Sequence, residues 1–222
     1  MKAAALHLVV FDWDGTLMDS VAPIVECMFV TLRDLGLPAP NEPALRGMVG
    51  LGLRETADVL VPGCDDALYD RILERYRGHW ISTYRDLPLL FPEVPDMLAE
   101  LTAAGYLLAV ATGKSRRGLD YVLDQTGLRG RFIATRTADE AASKPHPQML
   151  LDILSELGVL PESALMVGDS IYDLQMAASA GTPAIAVLSG AHGREELAAL
   201  APRALLPRVA DLPAYLRRHS AI

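Results

Sequence analysis

The feature that most constrains this chain is a short apolar run, residues 6–12 (LHLVVFD), that ends in a carboxylate. A run almost free of polar alternation suits a central strand buried on both faces of a parallel sheet. Three later segments share the pattern: residues 106–112 (YLLAVAT), 164–169 (ALMVGD) and 183–188 (PAIAVL). Residues 132–135 form a shorter and weaker candidate. Between them Val94, Met97, Leu98 and Leu101 recur at helical spacing, as do Met149, Leu150, Ile153, Leu154 and Leu157. Pro92 and Pro147 stand near the starts of these helices, and Gly105 and Gly158 follow their ends. Leu119, Val122 and Leu123 mark a further helix, closed by Gly127. Strands alternating with helices of this length predict an α/β fold, a doubly wound parallel sheet.

Residues 19–89 break the alternation. Val25, Met28, Phe29, Leu32 and Leu35 form one amphipathic stripe, and further helical pieces fit 43–48, 54–60 and 67–84. The expectation is an α/β core domain made of residues 1–18 and 90–222, with an inserted helical domain, 19–89, after the first strand. The alanine-rich stretch 195–205 reads as one more helix and its following turn.

Composition narrows the function. Twenty basic against 28 acidic residues give a net charge of -8, so the basic footprint of a nucleic-acid-binding surface is absent. Cys27 and Cys64 cannot by themselves form a disulfide framework or a zinc site, so a reducing, cytoplasmic setting is expected. The start, MKAAALHLVV, carries one lysine and an apolar run. His7 interrupts the run and no small-residue cleavage site follows, so it reads as a strand rather than a secretion signal. No stretch reaches the roughly 18 uninterrupted apolar residues of a membrane span.

In open α/β sheets, ligands sit beyond the carboxyl ends of the strands. The first strand delivers Asp12, Trp13, Asp14, Gly15 and Thr16 there, and the second delivers Thr112, Gly113 and Lys114. Ser143, Lys144 and Pro145 precede a crossover helix; the ALMV strand delivers Gly168, Asp169, Ser170 and, one turn on, Asp173. Carboxylates gathered this closely repel one another unless a cation neutralises them. An all-oxygen set without His or Cys suits Mg²⁺. A lysine and a threonine then supply donors to a phosphate. A free carboxylate beside a metal-bound phosphate can attack phosphorus. In that arrangement Asp12 is the nucleophile, and Asp14, two residues on, carries the proton. Other polar residues read as structural: His146 as a helix-start surface residue, Arg71, Arg75 and Arg77 as a solvated helix face. Arg46 and Arg54 flank a glycine-containing turn, residues 49–52 (VGLG), from which they could meet an anionic substrate.

The four segments FDWDGTLMDS, ATGKS, SKPHP and GDSIYD, in this order, resemble the motifs of the haloacid dehalogenase superfamily of Mg²⁺-dependent phosphohydrolases. The insert resembles that superfamily's helical cap, and the nearest likeness is to its phosphoglycolate phosphatase-like branch. The resemblance implies Asp12 as nucleophile and metal ligand, and Asp14 as acid/base that lends its carbonyl to the metal. Thr112 and Lys144 would hold the phosphoryl group, Gly113 and Arg46 would contact substrate, Thr16 would brace the loop, and Asp169 and Asp173 would complete the metal site. Trp13 stands where relatives carry a smaller residue, Gly113 where many have asparagine, and Leu51 where something more polar is usual. The implied substrate is a small phosphorylated metabolite, 2-phosphoglycolate first. The rivals are a sugar phosphomutase, a pyrophosphatase or a metal-free dehalogenase of the same superfamily and, from another class, a phospho-accepting receiver module. Oligomeric state is left open.

Overall fold

The computed structural model describes residues 6–219; the first five residues of the apolar start weighed above as a secretion signal, Lys2 among them, lie outside them. Six strands form one parallel sheet: β1 (Leu8–Phe11), β2 (Leu107–Thr112), β3 (Ala134–Thr137), β4 (Ala164–Gly168), β5 (Ala184–Val187) and β6 (Ala204–Leu206), in the order β3-β2-β1-β4-β5-β6. β1 is central, with Phe11 level with Val110 of β2 and Val167 of β4. The chain winds outward from β1 to β3, crosses back, and winds outward again from β4. The β1–β4 boundary is therefore the switch point where such sheets bind ligands.

Alternation along each strand feeds two apolar layers. Val9 and Phe11 pack with Leu98 and Leu101 of α5 (Val94–Ala103), Leu119 and Leu123 of α6 (Arg116–Thr126), and Leu216 of α10 (Leu212–His219). Leu8 and Val10 pack with Met149 and Ile153 of α7 (Gln148–Leu157) and Met176 of α8 (Ile171–Ser179). Burial on both faces is why these strands read as continuous apolar runs. Trp13, at the end of β1, is fully buried and meets Phe132 edge-on at 6.1 Å.

Four helices and no named strand occupy the stretch between β1 and α5: α1 (Val21–Asp34), α2 (Glu42–Arg46), α3 (Leu53–Leu60) and α4 (Asp66–Thr83). Val21, Val25, Met28 and Leu32 turn one face of α1 into an apolar cluster of its own. The segment leaves and rejoins the sheet side by side: the Asp19 amide donates to the Leu89 carbonyl at 2.7 Å, and the Phe91 amide to that of Leu17 at 3.1 Å.

Three sequence expectations shift. The weak strand lies at Ala134–Thr137, two residues later than expected, because Phe132 turns into the core against Trp13. The alanine-rich stretch is helical only over Arg194–Ala198 (α9), ends at Ala201 with a positive φ of 48°, and then gives the edge strand β6. Three residues are too few to show periodicity. The C-terminal α10 was also not foreseen.

Trp13 is wholly buried within the apolar layer it shares with Phe11, Leu17 and Phe132. Trp13→Ala is expected to cost about 3–5 kcal/mol of stability, read as a lower urea midpoint at unchanged slope. A cost under about 1 kcal/mol would show that the indole is not packed as described.

Candidate active site

Strand register sets Asp12, Thr112 and Asp169 at the same, carboxyl-terminal end of three adjacent strands. The side chains of Asp12, Asp169 and Asp173 are buried and offer oxygens within 4.8 Å of one another. Lys144, fully enclosed, lies between them, its Nζ 2.6 Å from Asp12 Oδ1 and 2.7 Å from Asp173 Oδ1. When all three are ionised, three carboxylates against one ammonium leave two uncompensated negative charges in a water-poor site, and no other cationic side chain contacts them among the described residues.

The site is framed by small residues and backbone. A Cβ on Gly15 or Gly190 would collide with the Asp169 carboxylate, and one on Gly168 with that of Asp173. Gly15 also needs its φ of +82°, which L side chains rarely adopt. The Thr16 hydroxyl donates to Asp169 Oδ1 at 2.8 Å, and the Ala191 amide to Asp169 Oδ2 at 2.7 Å. Asp173 belongs both to the cluster and to the capping box of α8, where its Oδ2 accepts from the Ser170 amide at 3.0 Å and the Ser170 hydroxyl at 2.7 Å.

Electrostatics follow from this enclosure. Burial pushes the Asp12 carboxyl well above the usual carboxylate range, aided by Asp173 and Asp169 and opposed by Lys144. Burial and then the charge of Asp173 push Asp169 up to about 7, against the Ala191 and Thr16 donors. For Lys144, burial pulls downward, but Asp12 and Asp173 outweigh it and hold the ammonium above the ordinary lysine value. Asp12 Oδ2 has no hydrogen-bond partner although it is buried. An orphaned carboxylate oxygen, three carboxylates in reach of one point and a deficit of two charges match a hard divalent cation.

Asp14 is held apart from this cluster. Its Oδ1 accepts from the Ser20 hydroxyl at 2.5 Å and pairs with Lys114 Nζ at 2.9 Å. The Asp14 carboxylate is thus not grouped with the three others, and only its backbone carbonyl remains for the metal role expected of it. Thr112 is fully buried at the tip of β2, where its hydroxyl accepts from the Lys114 amide at 3.2 Å.

Arg46 corrects an expectation: it does not line the cavity beside the carboxylates. Its guanidinium donates to the Gly190 carbonyl at 2.7 Å and the Ala191 carbonyl at 3.2 Å, tying the helical segment to the loop after β5. The Tyr172 hydroxyl to the Gly47 carbonyl, at 2.8 Å, and the Gly52 amide to Ser143 Oγ, also 2.8 Å, make two further ties. Gly113 is explained by the same contact. A Cβ there would lie 2.5 Å from the Leu51 carbonyl oxygen, so the 49–52 turn seats on a residue that must lack a side chain.

Sequence reasoning missed Ser20, the partnership of Lys114 with Asp14, and the loop Ser189, Gly190 and Ala191. The strand-end rule applies equally to β5, but short side chains there spell no motif. Ser189 Oγ donates to the Gly15 carbonyl at 2.8 Å, so this loop props the first motif.

Comparison with known proteins agrees with the geometry. Residues 9–187 match the family model described as "Haloacid dehalogenase-like hydrolase". The "Probable phosphatase IndB" of Dickeya dadantii is 36% identical over 211 residues, covering 92% of this chain and 91% of that protein. A phosphoglycolate phosphatase of Yersinia pseudotuberculosis is 31% identical over 221 residues, covering 96% and 94%. The crystal structure of a hydrolase from Pseudomonas syringae superposes with a TM-score of 0.87 at 21% identity, covering 97% of this chain and all of that one, a likeness of fold alone. The chain belongs to the haloacid dehalogenase-like hydrolase family. Within it, full-length similarity to curated phosphatases makes it an enzyme of the phosphatase class. None of its described helices is long and apolar enough to cross a membrane.

Gly113→Ala is expected to push the 49–52 turn off the sheet. Overpacking of this kind costs about 1–3 kcal/mol, which would speed hydrogen exchange of the Gly52 amide roughly tenfold or more while leaving the strands protected. Unchanged exchange would show that the turn does not rest on Gly113.

Proposed function

We propose that this enzyme is a Mg²⁺-dependent phosphatase that hydrolyses a small phosphorylated metabolite, a phosphomonoester, through an aspartyl phosphate on Asp12. The observation that carries the reading is the buried triad of Asp12, Asp169 and Asp173, which when ionised lacks two positive charges of balance, with an unpartnered oxygen on Asp12.

Asp12, Asp169 and Asp173 would hold the cation, together with the Asp14 carbonyl. A cation held there would supply charge neutralisation and polarisation of the phosphoryl group. Asp12 attacks phosphorus, displacing the alkoxide while the P–O bond to the alcohol breaks. Asp14, apart from the triad and hydrogen-bonded to Ser20 and Lys114, gives the leaving oxygen its proton. It then takes a proton from the water that cleaves the acyl phosphate, which returns Asp12 and releases phosphate. Lys144 and Thr112 would orient the phosphoryl oxygens, and Thr16 keeps Asp169 aimed at the cation. We further assign residues 19–89 the role of a cap over the site, with 1–18 and 90–222 as the catalytic core. The four ties across their boundary support that division.

Two results test the reading. With Mg²⁺ and a phosphomonoester panel, Asp12→Asn is expected to abolish phosphate release and Asp14→Asn to reduce it by about 10²–10⁴-fold. Wild-type turnover in Asp12→Asn would overturn the assignment.

The second test is thermal. Asp12 and Asp169 have folded-state pKa values raised above the unfolded ones. Without a cation, the stability they give is whole below their ordinary value of 3.8 and is lost as pH rises through about 7, where Asp169 ionises. Mg²⁺ competes with those protons, so it should raise Tm more at about pH 8 than at about pH 5. An equal shift at both, or none, would contradict a cation on this triad.

A further inference from the structure

The cavity beside the reacting carboxylates is far larger than a phosphoryl group and a two-carbon acid require. It opens from Asp12 and Asp14 and has a volume of about 1030 Å³. Clefts that enclose most of a drug-sized ligand run roughly 300–1,000 Å³. Its far wall is largely apolar: α1 supplies Val25 and Met28, and α4 supplies Leu73, Tyr76, Trp80 and Ile81. Ile81 is 49% exposed, so apolar surface stands open to the cavity with no protein partner to cover it.

This volume does not come from a helical segment swung away from the sheet. The bonds from Arg46 to Gly190, from Tyr172 to Gly47 and from Gly52 to Ser143 hold the two together. On the cavity side, Lys114 Nζ lies 5.2 Å from the centroid of the Trp80 ring. Cations that could receive a second anionic group are largely engaged. Lys114 is paired with Asp14, Arg54 with Asp58 and Asp66, and Arg85 with Asp86. Arg77 and Arg117 share the wall with Asp70, Glu74 and Asp139. Beside these charged groups the cavity offers rings and methyl groups that a phosphorylated two-carbon acid would leave uncovered.

We infer that the alcohol portion of the substrate is bulky, apolar and ring-bearing, and that it seats against the wall that α1 and α4 form together while the phosphoryl group meets Asp12. This rests on the phosphatase reading and sets the substrate class apart from phosphoglycolate.

The test compares kcat/KM for ethyl phosphate, 2-phosphoglycolate and phenylpropyl phosphate, with Mg²⁺. Ethyl and phenylpropyl phosphate both release unactivated primary alcohols, so their difference reads burial and not leaving-group chemistry. Phenylpropyl phosphate is expected to exceed each of the others by about tenfold or more. Ile81→Glu, at a half-exposed position, should pull the phenylpropyl-to-ethyl ratio toward unity. A direct binding measurement stands beside it. Phenylpropylphosphonate should quench the tryptophan fluorescence of Asp12→Asn saturably, and adding Trp80→Phe, which leaves Trp13 in place, should remove that quench. A preference for 2-phosphoglycolate, a ratio unmoved by Ile81→Glu, or no saturable quench would each overturn the inference and leave the phosphatase reading standing. Release from none of the esters would sink that reading and the inference with it.

Discussion

The structure is organised around an electrostatic imbalance. Three aspartates meet at the switch point of the sheet with a single lysine among them, and no other cationic side chain among the described residues contacts them. Isolated buried carboxylates are expensive, and a fold keeps them only where a partner repays the desolvation. Here the cost shows as raised pKa values for Asp12 and Asp169. Much of the surrounding chain serves to hold that arrangement. Gly15, Gly168 and Gly190 leave room, while Thr16 and the Ala191 amide fix Asp169. Ser170 fixes Asp173 through the same capping box that starts α8.

The acid/base carboxylate is governed differently. Asp14 sits just two residues from Asp12, yet Ser20 and Lys114 hold it away from the triad. Neighbouring carboxylates in one loop thus occupy distinct environments, which is how one site can hold a nucleophile and a proton carrier at the same pH. Lys114 also approaches Trp80 of α4, so the residue that pairs with the acid/base group touches the helical segment as well.

Much of this was legible in the chain. The runs ending in Asp12, Thr112 and Asp169 gave strands, and the strand-end rule then gathered Asp12, Asp169, Asp173 and Lys144, which the structure brings together. Lys144 stood out because it precedes the crossover helix within the SKPHP segment. The departures at Trp13 and Gly113, opaque in sequence, have packing causes: an indole against Phe132, and a turn whose carbonyl leaves no space for a Cβ. Arg46 was misplaced because a cation near a glycine turn looks the same whether it faces substrate or two backbone carbonyls. β6 and the loop after β5 escaped notice because three-residue strands and small side chains carry little periodicity and no chemistry. The cavity wall was visible only as helical stripes, since no sequence pattern tells an apolar face that packs from one that lines a void.

The most direct test of the central claim is rapid acid quenching of enzyme mixed with Mg²⁺ and a radiolabelled phosphomonoester, followed by peptide mapping. The account predicts label on the peptide that contains Asp12, formed and lost within turnover and accumulating in Asp14→Asn. Turnover with label on another residue, or with none retained by the protein at any quench time, would contradict it.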